Sequence, residues 1–137
     1  MKIAVAQIHG TPDVEANKAT VVRLIENAAN MPELMAEADL AVSSAGSTVW
    51  ELAFLGVPAV LGVVAENQRV GASALEDSGA AVAFDGTSTS AVEELRQVLG
   101  LVYDDQPRRS AMSKVAQRLV DGKGAARVVH VMTRARV

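Results

Sequence analysis

The residues best placed to do chemistry lie in one stretch, Asp39-Leu40-Ala41-Val42-Ser43-Ser44-Ala45-Gly46-Ser47-Thr48-Val49-Trp50-Glu51, where an apolar run gives way to small polar side chains and then to a helical pattern. The first amides of a helix lack partners within it and carry partial positive charge, so a helix start behind a small-residue turn suits an anion. Gly46, with Ser43, Ser44, Ser47 and Thr48 around it, leaves room for a diphosphate to approach the backbone. The stretch is neither a Walker loop nor a GxGxxG fingerprint. It also has a structural account, because Thr48 and Glu51 have the spacing of a capping box. Spacing alone leaves both accounts open. Trp50, the one tryptophan, is read as a packing anchor rather than a platform for a base.

A second cluster is Ala65-Glu66-Asn67-Gln68-Arg69, between an apolar run and a further helical pattern. The amides of Asn67 and Gln68 both donate and accept without titrating, which suits sugar hydroxyls and phosphate oxygens; a plain solvated loop would look the same. His9, beside Gly10-Thr11-Pro12, would lie at the same sheet edge and has a pKa suited to acid-base work, although a lone histidine in a short loop is more often simply exposed. His130 reads as a packing or surface residue. No His, Asp or Glu grouping has metal-ligand spacing, no Ser-His-acid arrangement is present, and no cofactor is expected.

The elements that must position these residues follow from the apolar pattern. Continuous apolar runs recur at 3–8, 21–25, 40–42, 59–64 and 80–84, without the alternation of a half-exposed strand, and predict strands buried on both faces. Asn30, Thr48 and Ser90 each stand three residues before a glutamate, predicting helices that start there. Gly56 and Gly79 mark the returns from helix to strand, and Pro58 cannot continue the helix before it. Near the end, Met112, Val115, Ala116 and Leu119 share a helical face, with Arg109, Lys114 and Arg118 left to solvent, and 121–124 break that helix before a last segment from Ala125. Residues 86–90 read as a surface loop. Strand and helix in alternation predict an α/β fold of three layers, Rossmann-like, with a mostly parallel sheet.

Composition narrows the function. The 137 residues suit one domain, 1–137, with a core large enough to stand alone. A net charge of -3 with no basic stripe argues against nucleic acid as a partner. No cysteine means no disulfide, thiolate metal site or cysteine nucleophile. The opening apolar run is too short for a signal peptide, and no run reaches the ~20 residues that span a bilayer, so a cytoplasmic protein without integral membrane association is expected.

The segments 30–40, Ala45-Gly46-Ser47-Thr48-Val49-Trp50-Glu51, Gly56-Val57-Pro58 and Glu66-Asn67-Gln68, with the ending 119–128, resemble the C-terminal domain of glycosyltransferase-B-fold UDP-sugar enzymes. The resemblance is closest to the group that holds the UDP-sugar hydrolase of pseudaminic acid biosynthesis and the spore-coat polysaccharide proteins, and more distant to the N-acetylglucosaminyltransferase that makes lipid II. It covers about 21–128. It implies that Ser44, Gly46, Ser47 and Thr48 hold the UDP diphosphate, that Glu51 binds the ribose hydroxyls, that Asn67 and Gln68 contact the sugar-nucleotide, and that Asn27 and Ala28 lie beside the uracil. The family's glycine-rich strand-turn has no counterpart before Ile3, and its N-terminal half, with the acceptor site and the hydrolase's catalytic histidine, has none either. The resemblance therefore implies a UDP-sugar-binding half that is inactive alone and is completed by a separate N-terminal-half protein. The other expectation is a non-enzymatic module that self-associates as a homodimer through the face left uncovered. A small hydrolase using His9 and Glu66 is the third.

Overall fold

The computed structural model describes residues 3–6, 23–25 and 30–134, the first two stretches as backbone strands alone. The order is β1 (Ile3–Ala6), β2 (Arg23–Ile25), α1 (Met31–Ala36), β3 (Leu40–Ser44), α2 (Thr48–Leu55), β4 (Ala59–Val63), α3 (Arg69–Asp77), β5 (Ala81–Asp85), α4 (Ala91–Gly100), α5 (Gln106–Leu119) and α6 (Gly124–Arg134). The five strands form one sheet in the order β2-β1-β3-β4-β5, and every pairing is parallel. Each predicted apolar run overlaps one of these strands, β3 continuing two residues and β5 one residue past the end of its run.

Alternation along the strands sorts the core into two layers. Ala41, Leu61, Val63 and Ala81 face a layer made with Met35 of α1, Val49, Leu52 and Ala53 of α2, and Ala72 and Leu75 of α3. Leu40, Val42, Val60 and Val82 face the other way, against Val102, Met112 and the α4 residues Leu95, Val98 and Leu99. The first layer is rich in alanine, and short side chains bring helix and sheet close, so packing density is reached without aromatic residues. α5 contributes Met112 to one layer and Ala116 to the other.

Helix ends follow the predicted punctuation, with differences at the caps. Gly56 ends α2 in the left-handed region (φ 73), and a Cβ there would collide with the Gln117 side chain of α5. None of the three predicted capping boxes forms: Asn30, Ser47 and Ser90 stand at the N-caps, and no side chain caps α1, α2 or α4. At α2 the cap position falls on Ser47, whose backbone is already helical, so Thr48 lies inside the first turn and cannot reach back over it. At α4 the Ser90 hydroxyl donates to Glu94, one residue beyond the expected partner. The cap that does form is on α5, where Asp105 Oδ1 accepts from Arg108 N at 2.9 Å.

Three further expectations are corrected. Arg109 is half-buried, because its Nη1 donates to the carbonyls of Val102 (2.7 Å) and Tyr103, satisfying the chain that leaves α4. Trp50 is 46% exposed, lying against Gly71 of α3, so it is a surface contact between α2 and α3 and not a core anchor. Leu119 is 50% exposed, while Met112 and Ala116 are buried as expected.

Candidate functional site

The strand order reverses direction once. From β1 the chain steps outward to β2, returns past β1 to β3, then proceeds through β4 to β5. In open parallel sheets the crevice at such a reversal, at the carboxyl ends of the strands, is the usual ligand position. β3 ends there with Ser43 and Ser44, and residues 45–47 lead into α2.

This turn is anchored from beneath. Ser43 is buried, 3% exposed, and its Oγ donates to Ser44 O at 3.0 Å. Ala45 N donates to Gly62 O at 2.9 Å, carrying the pairing of β3 with β4 one residue past the strand. Val49 N to Gly46 O (3.3 Å) and Trp50 N to Ser47 O (3.1 Å) then tighten the first turn of α2. Ser44, Gly46 and Thr48 are half-buried and Ser47 is exposed. Glu51 is exposed in that first turn, and it makes no hydrogen bond or ion pair with the described residues.

Gly46 differs from the other glycines at the sheet's carboxyl edge. Its φ is not positive, and a Cβ built on it meets nothing nearer than Ser44 Oγ at 3.9 Å. By contrast, a Cβ on Gly62 would stand 2.9 Å from the Phe84 ring, and one on Gly86 would stand 2.7 Å from Val64. A side chain at 62 or 86 would have to displace Phe84 or Val64; at 46 it would displace nothing.

The second predicted cluster stands beside the first, after β4. Residues Glu66–Gln68 form a short 3-10 turn running into α3. Gln68 Oε1 accepts from Val64 N at 2.9 Å, closing the turn. That N–H can only donate, so the carboxamide's NH2 group is the part left to face outward. Asn67 is exposed, and its side chain makes no hydrogen bond with the described residues. The cation of this turn, Arg69, is tied to Glu66 (Nε to Oε2, 2.8 Å) and lies 3.6 Å from Asp85 Oδ2. The hydrogen bond from Arg69 to Glu66, followed by the charges of Glu66 and Asp85, raises its pKa further. Thr87 donates to Asp85 through side chain and backbone and holds that carboxyl below its usual value. A ligand here would thus meet the neutral carboxamides of Asn67 and Gln68, with Arg69 already committed to Glu66 and Asp85.

On the α4 face of the sheet, beneath these turns, lies a cavity of about 440 Å³, lined by Val42, Ser44, Gly62, Phe84, Val92 and Leu95 among others. Its walls are largely apolar, so it suits an uncharged group and not a phosphate. Of the predicted site residues, Ser44, Gly46, Ser47, Thr48 and Glu51 occupy one turn and helix start, and Asn67 and Gln68 the neighbouring one. Asn27, Ala28 and His9 lie outside the described residues. His130 is on α6 and exposed. Among the described residues no group of three potential ligands could hold a metal ion, and no helix is long and apolar enough to cross a membrane.

Over residues 5–129 the chain matches the family described as Glycosyltransferase family 28 C-terminal domain. It belongs to that family. A curated relative, the spore coat polysaccharide biosynthesis protein SpsG of Bacillus subtilis, is 30% identical over 110 residues, covering 80% of this chain and 32% of that protein. Another is the UDP-N-acetylglucosamine--N-acetylmuramyl-(pentapeptide) pyrophosphoryl-undecaprenol N-acetylglucosamine transferase of Chlorobium phaeobacteroides, 40% identical over 92 residues, covering 64% of this chain and 25% of that one. The chain thus spans a third or less of the length of these relatives. Among solved structures, MurG of Acinetobacter baumannii superposes with a TM-score of 0.71 at 25% identity, over 82% of this chain and 33% of that chain. Spinosyn forosaminyltransferase SpnP, at 21% identity and a TM-score of 0.56, covers 88% of this chain and 30% of its own, and shares the fold. The three-layer α/β architecture expected of a glycosyltransferase-B C-terminal half is the one this family domain has.

Proposed function

We propose that this family 28 domain binds a UDP-sugar in the cytoplasm and depends on a separate N-terminal-half protein for the acceptor site and the catalytic groups. The observation that carries the reading is Gly46, a glycine that the fold does not require, in the turn that leads from the end of β3 into α2. In this reading the diphosphate lies over Gly46, Ser47 and Thr48, taking hydrogen bonds from the first amides of α2 and from the Ser44 hydroxyl. Glu51, one helical turn on, accepts from the ribose hydroxyls. Gln68 and Asn67 reach the sugar end, and Asn27 and Ala28 lie beside the uracil. The Chlorobium relative is named for UDP-N-acetylglucosamine, which supports the choice of nucleotide.

Thermal unfolding with UDP or UDP-N-acetylhexosamine tests it. Millimolar ligand should raise the melting temperature, and Glu51→Ala should remove that rise while leaving the ligand-free protein as stable as before. No shift for the unaltered chain would overturn the reading.

A second reading, self-association as a homodimer without catalysis, draws on α6, where Val128, Val129, Val131 and Met132 are each 59–66% exposed on a helix that buries no residue. Light scattering across a dilution series separates the two: a stable dimer insensitive to UDP favours it, and a monomer that binds UDP removes it.

A further inference from the structure

β5 lies at the edge of the sheet and reads Ala81-Val82-Ala83-Phe84-Asp85. An apolar edge strand offers unpaired backbone groups to any extended chain, and proteins usually blunt such edges with lysine, proline or a bulge. The strand itself has none of these; its one charge is Asp85 at the end. Its partner β4 lies on the inner side, with Leu61 opposite Ala83 and Val63 opposite Asp85. Two outer N–H groups are nevertheless filled. Glu76 of α3 brings Oε1 to Ala83 N at 3.0 Å, and Glu94 of α4 brings Oε2 to Asp85 N at 3.3 Å. α3 and α4 cover opposite faces of the sheet, so the two carboxylates reach the strand edge from both sides.

Each carboxylate is set in place by its surroundings. The Ser90 hydroxyl donates to the other oxygen of Glu94 at 2.7 Å, and hydrogen bonds from Ser90 and Ser88 hold that carboxyl below its ordinary value. Glu76 lies along a cleft of about 250 Å³ between α3 and β5, lined also by Arg69, Ser73, Ala83 and Asp85.

We infer that Glu76 and Glu94 close the β5 edge against strand addition, and that without them a second copy of this chain pairs its own β5 there, antiparallel about Ala83. Residues two apart on a strand face the same way, so once the carboxylates are gone Ala83 presents both N–H and C=O outward and Asp85 its N–H, the Asp85 C=O accepting from Ser88 N at 3.3 Å. In an antiparallel pair about a two-fold axis, Ala83 exchanges both bonds with its twin. This inference is independent of what the crevice binds.

The experiment compares self-association of the unaltered chain, E76A/E94A and E76Q/E94Q by light scattering over a concentration series, with hydrogen exchange at the amides of 83 and 85. E76A/E94A should half-associate at a concentration at least about tenfold lower than the unaltered chain, the two amides becoming slower to exchange as concentration rises. The glutamine pair should behave as the unaltered chain, because a carboxamide oxygen still accepts from the same N–H groups. Adding A83P to the alanine pair should abolish the gain, since it removes the N–H at the centre of the pairing. Association of the alanine pair equal to that of the unaltered chain, or a gain that survives A83P or appears equally in the glutamine pair, overturns the inference. Should the double variant lose its circular-dichroism signal, E76A alone is read by the same criteria.

Discussion

Two positions separate what the fold needs from what a ligand needs. Gly46→Ala should leave unfolding by urea within about 0.5 kcal/mol of the unaltered chain, because the added methyl meets nothing close. In titration calorimetry the same change should weaken UDP by about tenfold, because the methyl would stand where the diphosphate approaches. Gly62→Ala should do the reverse in part, losing about 1–3 kcal/mol of stability, since the new Cβ would press on the Phe84 ring at 2.9 Å. If both variants lost stability alike, Gly46 would be a packing residue and the case for the turn would fail. Gln68 gives a second contrast. Gln68→Glu keeps an acceptor for Val64 N and so keeps the turn, but it replaces an outward donor with a negative charge. Sugar-nucleotide affinity should fall at neutral pH and recover as the pH is lowered through the carboxyl range, a pattern that loss of the turn alone would not produce.

At the scale of elements, the strands were legible because strands buried on both faces read as unbroken apolar runs, and this sheet is parallel throughout. Helix positions were legible from glycine and proline punctuation. The caps were not, because a capping box is a spacing that many sequences share, while the bond depends on the backbone angle at one residue, here the helical Ser47. The true cap, Asp105, had its signal in Pro107 two residues later. Asp105→Ala should therefore cost about 1 kcal/mol in urea unfolding, whereas Ser47→Ala should cost a few tenths at most. Of the site, the turn at 44–51 could be read because its residues are contiguous. The closure of Val64 by Gln68 and the reach of Glu76 to Ala83 could not, since each depends on a backbone group exposed only once the strands are placed. A similar local device starts α6. Asp121 accepts from Lys123 N at 3.0 Å and pairs with Arg127 at 2.7 Å, and these bonds, that of Arg127 foremost, lower its pKa to about 2. A carboxyl whose pKa falls on folding stabilises the folded form above its unfolded value near 3.8, and that contribution is lost as the pH drops toward 2. Protection of the amides of 124–134, relative to their intrinsic exchange rates, should accordingly fall as the pH is lowered from 4 to 2, and Asp121→Asn should flatten that dependence.

For the whole molecule, the decisive property is that both candidate turns lie on this chain, while the chain spans a third or less of the relatives it matches. Nucleotide binding and turnover are therefore separable by experiment. A ligand that binds only the folded chain stabilises it by RT ln(1 + [L]/Kd), about 2.7 kcal/mol at a hundredfold excess over Kd, or roughly 8–12 °C in melting temperature for a chain of this size. Because that linkage depends on the crevice and not on the acceptor, UDP and the UDP-sugar should both produce it with the isolated chain, and Gly46→Ala should reduce it. Hydrolysis or transfer of the sugar, followed by release of UDP, should stay at the uncatalysed rate until an N-terminal-half protein is added, and then rise with the concentration of that protein to saturation. Turnover by the isolated chain would place the reacting groups within these residues and return attention to His9 and Glu66. A saturating rise that Glu51→Ala abolishes would instead assign this domain to the donor and leave the chemistry to its partner.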